Sequence, residues 1–138
     1  MKQISVKTVE FIAFRLAKEL PFEEPIPHFS TRFPNILESC LATPFQTFSR
    51  RPLYSGLVSK ASILFYLILK NHPFRNGNKR IAMTTLLVFL YMNNKWIKAD
   101  IQALFNFTAW IASSPAEFKN ESVKAIERFL RIHIIKLR

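Results

Sequence analysis

Residues 57–94 read LVSKASILFYLILKNHPFRNGNKRIAMTTLLVFLYMNN and contain the two most apolar segments of the chain. Two strongly apolar segments, ASILFYLIL and IAMTTLLVFLYM, flank the most polar stretch of the region, NHPFRNGNKR at 71–80. Each apolar segment is apolar on nearly every side of a helix, which indicates a helix buried at the centre of a protein. We therefore predict two central helices, at about 57–71 and 78–94, joined by a polar turn.

Helical spacing of apolar residues continues outside this pair. The first such segment, at about 5–20, has its apolar stripe at Val9, Ile12, Ala13, Leu16 and Leu20. Further helices are predicted at about 34–42, 98–113 and 115–136. A chain of 138 residues fits one domain, so we expect a single all-α unit over residues 1–138, a bundle of about six helices.

A proline-rich segment separates the first two predicted helices. Pro21, Pro25, Pro27 and Pro34 fall within 14 residues, a density that forbids a helix interior. We expect an extended loop or a short β-hairpin near residues 22–33. A second irregular stretch is predicted between the helix at 34–42 and Gly56.

Positive charge is concentrated in the middle of the chain. Lysine and arginine number 20 against nine acids, a formal charge of +11, and no acid occurs between Glu38 and Asp100. A region of one sign attracts anions, although a solvated basic face or loose affinity for nucleic acid would look the same. The only glycines, Gly56 and Gly77, are too few for a Walker A loop or a dinucleotide-binding glycine motif.

Cysteine and leader patterns suggest a reducing compartment. Cys40 is the only cysteine, which excludes an intrachain disulfide and a cysteine-based zinc site. The start, MKQISVKTVEF, lacks the apolar segment and cleavage site of a signal peptide, and the longest uncharged run, between Arg80 and Lys95, is too short to cross a membrane. We expect a cytoplasmic protein without a membrane partner.

The polar turn at 71–80 has the features of a sharp reversal. Pro73 disfavours the α conformation at His72, so the incoming helix is expected to end there. Gly77 permits a positive φ, and Asn78 is a favoured N-cap for the next helix. The ring of Phe74 is expected to point into the core and hold the loop.

The same turn is the candidate anion site. Lys79 and Arg80 fall in the first turn of the second central helix, where the helix dipole disfavours cations. A bound phosphate would remove this conflict, because backbone N–H groups and two cationic side chains would then surround it. His72 lies beside these cations, and its imidazole could act as a general base toward a hydroxyl next to that phosphate.

At His72–Arg80 the sequence resembles the Fic/Doc family. The Fic motif reads H-x-F-x-[D/E]-G-N-G-R-x-x-R, and its Doc (death-on-curing) branch ends in Asn-Lys-Arg, as here. LESCLATPF at 37–45 is similar to the Leu-x-Ser-Ala-x-x-x-Pro stretch of Doc-like proteins. The resemblance covers about residues 35–95 and implies the Fic-type helical fold.

The resemblance implies an ATP-dependent transferase acting on a protein hydroxyl. Fic proteins transfer AMP, whereas Doc-like toxins transfer the terminal phosphate of ATP, with translation elongation factor Tu as the known type of target. It makes His72 the general base, residues 22–33 a flap that docks the target by strand addition, and a separate antitoxin a partner. The implied phosphate-binding residues are Gly77, Asn78, Lys79 and Arg80.

Departures from the Fic motif refine this expectation. Lys79 replaces the second glycine and Met83 the second arginine, and both favour the Doc-like phosphate transfer. Asn76 stands where the family has an acid that helps to hold Mg²⁺, and an amide oxygen can ligate that ion but adds no charge. Glu23 and Glu24 in the predicted flap are alternative metal donors.

Three other functions stay open. The first is AMP transfer of the Fic type, and the second is an inactive Fic-fold interaction module. The third is a basic helical domain that binds nucleic acid through Lys124, Arg128 and Arg131. Glu121 and Glu127 interrupt that basic face, so a nucleic-acid partner is not expected.

Overall fold

The computed structural model describes residues 1–22 and 25–137, in which six helices and two small strand pairs confirm the predicted all-α class. Helix α1 joins Val6–Thr8, a π-helical turn Val9–Ala13 and Phe14–Glu19. The other helices are α2 Pro34–Ala42, α3 Gly56–Asn71, α4 Asn78–Met92, α5 Ile101–Ala112 and α6 Lys119–His133. The strands are β1 Thr47–Phe48, β2 Arg51–Pro52, β3 Lys95–Ile97 and β4 Ile134–Lys136.

Helices α3 and α4 form the centre of the molecule, as their composition predicts. They are joined by a short turn and pack along each other, with α6 and α2 against α3 and with α1 and α5 against α4. Side chains on all sides of both helices are buried, including Phe65, Ile68, Met83 and Phe89. No helix in the described part of the chain is long and apolar enough to cross a membrane.

The apolar stripe of α1 differs from the prediction. Val9 and Ala13 are buried as expected, but Ile12 and Leu16 are 47% and 46% exposed. The π-helical turn inserts one residue into the helical repeat, which rotates the following residues by about 100° around the helix axis. Phe14 and Ala17 are therefore buried against the core in place of Ile12 and Leu16.

The C-terminal segment is also different from the prediction. The helix expected at 115–136 begins as a 3₁₀ turn at Ala116–Phe118 and ends at His133. The next three residues form β4, antiparallel to β3, with Trp96 opposite Ile135. This pairing places Ile97 in the core, and the backbone N–H of Lys98 donates to His133 O at 2.8 Å.

A tight hairpin occupies part of the stretch that the sequence presents as irregular. Strands β1 and β2 are antiparallel, with Phe48 opposite Arg51, so only Ser49 and Arg50 form the turn. Both turn residues have positive φ, 51° and 66°. A two-residue turn with both φ positive matches the twist of antiparallel strands, although glycine or asparagine normally supplies it.

The proline-rich segment adopts the extended alternative rather than a hairpin. The structure describes residues 22 and 25–33 of this segment. The described residues contain no strand and one 3₁₀ turn, Phe29–Thr31. Phe29 is buried, and its ring lies 5.3 Å from Phe14 and 5.7 Å from Phe74 between centroids. The segment is thereby fixed to the turn between α3 and α4.

Candidate active site

The turn between α3 and α4 begins and ends where the sequence predicts. Helix α3 ends at Asn71, and His72 takes the left-handed conformation, with φ 50° and ψ 66°. Gly77 has the predicted positive φ, 76°, immediately before α4 begins. The chain thus reverses within six residues, and the side chain of His72 is exposed at the end of α3.

Asn78 holds this turn together in a way that the sequence does not reveal. It was expected to be the N-cap of α4, but it is the first helical residue and follows Gly77. Its side-chain oxygen accepts from the Phe74 N–H at 3.0 Å, and its side-chain nitrogen donates to the Phe74 carbonyl at 2.7 Å. The buried amide of Asn78 therefore satisfies both backbone groups of Phe74.

Phe74 fixes the turn to the core, as predicted. Its side chain is 1% exposed and packs against the rings of Phe14 and Phe29. Nearby, the backbone N–H of Phe33 donates to the carbonyl of Pro73 at 2.8 Å. Side-chain packing and a backbone hydrogen bond together tie the proline-rich segment to the turn.

The proline-rich segment also lies over Gly77. A Cβ atom added at Gly77 would be 2.5 Å from Ile26 Cδ1 and 3.4 Å from the carbonyl oxygen of Pro25. Ile26 thus covers the start of α4 in this structure.

The two basic residues of the first turn of α4 have different surroundings. Lys79 is half-buried, whereas Arg80 is 4% exposed and lies against the end of α1. Arg80 Nη1 donates to the Ala17 carbonyl at 3.4 Å, and its Nε has no hydrogen-bond partner among the described residues. Buried donors are normally paired, so this Nε is an unusual feature of the site.

The buried thiol of Cys40 contacts Asn71, the last residue before the turn. Cys40 of α2 is fully buried, and burial raises the pKa of its thiol to about 11, although a side-chain hydrogen bond with Asn71 opposes that shift. Asn71 is the residue immediately before His72. Cys40 is therefore a neutral packing group and not a nucleophile for the site.

The described residues do not form a magnesium site. Within 1–22 and 25–137 no group of three or more His, Cys, Asp or Glu side chains comes together. Asn76 is exposed at the turn and could offer one amide oxygen. Glu23 and Glu24, the alternative donors suggested by the sequence, lie outside the described residues. The side chain of Asn76 supplies one neutral oxygen, which is not enough to bind Mg²⁺ through the described residues alone.

The structure thus places the sequence-predicted residues together at one end of the α3–α4 pair. His72 and Asn76 are exposed there, Lys79 is half-buried, and Gly77, Asn78 and Arg80 are buried. Sequence reasoning missed the cover by Ile26 and the contact with Ala17, because both come from distant parts of the chain. The run of prolines was the signal for the first of these.

The chain was compared with known proteins. No curated protein and no solved structure matches it significantly. The family model described as "Fic/DOC family" matches residues 3–90, which include α1 to α3, the turn and most of α4. Because this match covers more than half of the chain and contains the complete turn, the chain belongs to the Fic/DOC family.

Proposed function

We propose that this protein is a Doc-like transferase that moves the terminal phosphate of ATP onto a hydroxyl of a target protein, such as a translation elongation factor. Domains of the Fic/DOC family are typically nucleotide-dependent, protein-modifying transferases. The observation that carries the proposal is the juxtaposition of an exposed His72 with the basic first turn of α4.

Electrostatics at the start of α4 support a phosphate ligand. The first turn of α4 contains Lys79, Arg80 and no acid, although the positive end of the helix dipole lies there. Arg80 is buried with Nε lacking a described partner. An anion at this end would offset both unfavourable features. It would lie at the positive end of the helix dipole, next to the ammonium group of Lys79 and the guanidinium group of Arg80.

The proposed chemistry requires one base and one phosphate-binding turn. His72 accepts the proton of the target hydroxyl while that oxygen attacks the terminal phosphorus. The bond from this phosphorus to the oxygen bridging it to the second phosphate breaks, and ADP leaves with that oxygen. Lys79 and the backbone of the first turn of α4 position the phosphates. Positioning and electrostatic stabilisation are the main contributions of a protein to phosphoryl transfer.

Met83 favours phosphate transfer over AMP transfer. It stands where the Fic motif has a second arginine, and it is fully buried next to apolar neighbours. A cation at that position is thereby replaced by a core residue, so this position of the motif brings no charge to the turn. Transfer of AMP is the second candidate, because the remainder of the turn is compatible with both reactions.

The proline-rich segment and the partners fit this proposal. Residues 25–28 are irregular and lie next to His72's turn, so we propose that they dock an extended segment of the target. Because Ile26 covers Gly77, nucleotide binding is expected to displace it. A separate antitoxin that covers the turn would control such an enzyme.

The test is intact-mass analysis of a purified elongation factor after incubation with ATP, Mg²⁺ and this protein. A phosphate and an AMP add very different masses, so the spectrum identifies the transferred group. His72→Ala should abolish transfer but keep ATP binding, and His133→Ala on α6 is the matched control. Equal loss of transfer and ATP binding in His72→Ala would indicate a structural histidine instead.

Asn76→Asp tests the missing motif acid. We expect this variant to increase transfer in the presence of Mg²⁺, because it restores a charged oxygen ligand next to the phosphates. If neither the natural protein nor Asn76→Asp modifies the factor, the proposed transferase activity is wrong. Absence of ATP binding in both would support the inactive interaction module.

A further inference from the structure

The hairpin of β1 and β2 lies at the far end of α3 from His72. It ends at Pro52, and α3 begins at Gly56. The 16 residues of α3 span about 24 Å, at 1.5 Å per residue. Any role of the hairpin is therefore physically separate from the candidate active site.

One face of the hairpin exposes two apolar side chains around an arginine. Phe48 is 73% exposed and is paired with Arg51, which places both side chains on the same face. Leu53 is two residues after Arg51, so it continues that face, and it is 54% exposed. Phenylalanine and arginine are among the residue types enriched in protein interfaces.

The base of the hairpin is firmly anchored. The backbone N–H of Leu53 donates to Gln46 O at 3.0 Å. The Lys60 ammonium donates to the Tyr54 carbonyl and lies 5.2 Å from the centre of the Phe45 ring, which in turn contacts Phe89 of the core. The exposed face is thus presented on a preorganised support, which reduces the entropic cost of binding.

The turn of the hairpin has an unusual sequence for its backbone conformation. Ser49 and Arg50 both have positive φ, a conformation that is unfavourable for residues other than glycine. Both are exposed, so no buried contact compensates for that cost. Strain of this kind is concentrated at functional sites in proteins.

The surroundings of the hairpin are basic. Arg50 and Arg51 lie in the interval from residue 39 to 99, which has no acid. A cleft of about 370 Å³ next to Tyr54 is lined by Lys119 and Lys124 of α6, with Glu127 as its acidic member. The first turn of α6 lines this cleft through Lys119 and Asn120, and its positive dipole end adds to the potential.

We propose that this hairpin face, residues 46–53, is a docking surface for an acidic segment of a protein partner. The basic surroundings select carboxylates, and the exposed Phe48 and Leu53 select an apolar side chain between them. The outer edge of β1 also offers the backbone groups of Thr47 to an extended peptide, whereas the edge of β2 ends in Pro52, which has no N–H. A second copy of this chain does not fit, because it carries the same positive charge.

The apolar content of the face favours protein over nucleic acid. Nucleic-acid bases stack on aromatic rings, but a leucine side chain offers them no stacking surface. Leu53 follows β2 directly and is 54% exposed, so a peptide side chain could cover it. Binding of nucleic acid is therefore the competing outcome that the experiment has to distinguish.

The experiment is a titration of the full ¹⁵N-labelled chain followed by NMR. The probe is a twelve-residue peptide of alternating glutamate and leucine. Three comparison probes are the same peptide with lysine for glutamate, the same peptide with serine for leucine, and a twelve-nucleotide oligouridylate. We expect saturable shifts at residues 46–53 with the glutamate–leucine peptide, and much weaker binding of both altered peptides.

Substitutions locate the site. The double variant Phe48→Ser/Arg51→Ser should bind the glutamate–leucine peptide at least about tenfold more weakly, the loss typical of an interface centre. Phe11→Ser/Arg15→Ser, an exposed Phe–Arg pair on α1, is the matched control and should bind within about twofold of the natural protein. Unchanged resonances outside the hairpin show that each variant is folded.

Three results would overturn the proposal. The first is absence of saturable shifts at 46–53, and the second is an equal loss of binding in both double variants. The third is tighter binding of the oligouridylate at the same residues, which would make the hairpin a nucleic-acid surface. The outcome is independent of the transferase assay, since neither substitution touches the turn at 72–80.

Discussion

Two turns of this protein, at 72–77 and at 49–50, both place non-glycine residues in the left-handed region, but opposite features stabilise them. His72 sits at the end of a buried helix, and its turn is held by the amide of Asn78 and the buried ring of Phe74. Ser49 and Arg50 are exposed and are held only by backbone pairing. The first turn is therefore stabilised by side chains, whereas the second is stabilised by the backbone pairing of β1 with β2.

The difference explains where the protein tolerates change. Replacing the side chains that hold the turn at 72–77 should lower the stability of the protein. The ring of Phe74 is packed in the core, and the buried amide of Asn78 is hydrogen-bonded. At the hairpin, side chains are free to serve contacts with other molecules, since the fold does not use them. The comparison leads to four predictions, which are measured as free energies of unfolding in urea unless stated otherwise.

The largest expected contrast is between two phenylalanines. Phe74→Ala should lower the free energy of unfolding by about 3–5 kcal/mol, because it leaves a cavity among packed rings. Phe48→Ala should change it by less than about 0.5 kcal/mol, because that side chain is exposed. Equal losses in the two variants would show that the hairpin is packed as tightly as the active-site turn.

The next effect comes from Asn78. Asn78→Ala should cost about 2–4 kcal/mol, since it leaves both the N–H and the carbonyl of Phe74 buried without a partner. Asn106→Ala removes an exposed side-chain hydrogen bond to Gln102 and should cost under about 0.5 kcal/mol. A small cost at Asn78 would mean that water replaces its amide in the turn.

A pair of glycine exchanges should have opposite signs at the two turns. Gly77→Ala should destabilise by about 1–2 kcal/mol through its positive φ, with a further clash against Ile26 that Ile26→Ala relieves in the double variant. Arg50→Gly should stabilise by up to about 1 kcal/mol, because glycine adopts that conformation without strain. Destabilisation by Arg50→Gly would show that the arginine side chain stabilises the hairpin.

The smallest effect near pH 7 concerns the pH dependence of stability that comes from Cys40, whose thiol lies next to Asn71 at the end of α3. Burial raises the folded pKa of Cys40 to about 11, above the ordinary value of 9.0 for a thiol, so between these pH values the folded state retains a proton that the unfolded state has released. The contribution to stability is complete below pH 9 and is lost as pH rises toward 11. Cys40→Ala should flatten this part of the pH–stability curve and leave the slope near pH 7 unchanged.

The central part of the fold could be predicted because composition alone decides it. Segments that are apolar on every side can only be buried, and Pro73 and Gly77 mark the ends of the turn between them. The buried ring of Phe74 follows from the same argument, since it is the one large apolar side chain in a polar loop. These inferences use local sequence only.

The remaining features depend on contacts that local patterns do not encode. The hairpin has two-residue strands and a Ser-Arg turn, so it lacks the glycine or asparagine that normally marks such a turn. Strand β4 continues the amphipathic pattern of α6, and only pairing with β3 makes it a strand. Arg80 is buried because the end of α1, 63 residues away, supplies its acceptor.

The packing of α1 on α4 has a consequence for the order of folding. The turn at 72–77 joins neighbouring helices, so its closure spans a short loop and can occur early. Ala17 and Ile26, which cover Arg80 and Gly77, come from about 50–60 residues upstream and close a much longer loop. A state with α1 detached would therefore uncover Arg80 and remove the contact of Phe14 with Phe74, so the turn closes early but is fully packed only after α1 has docked.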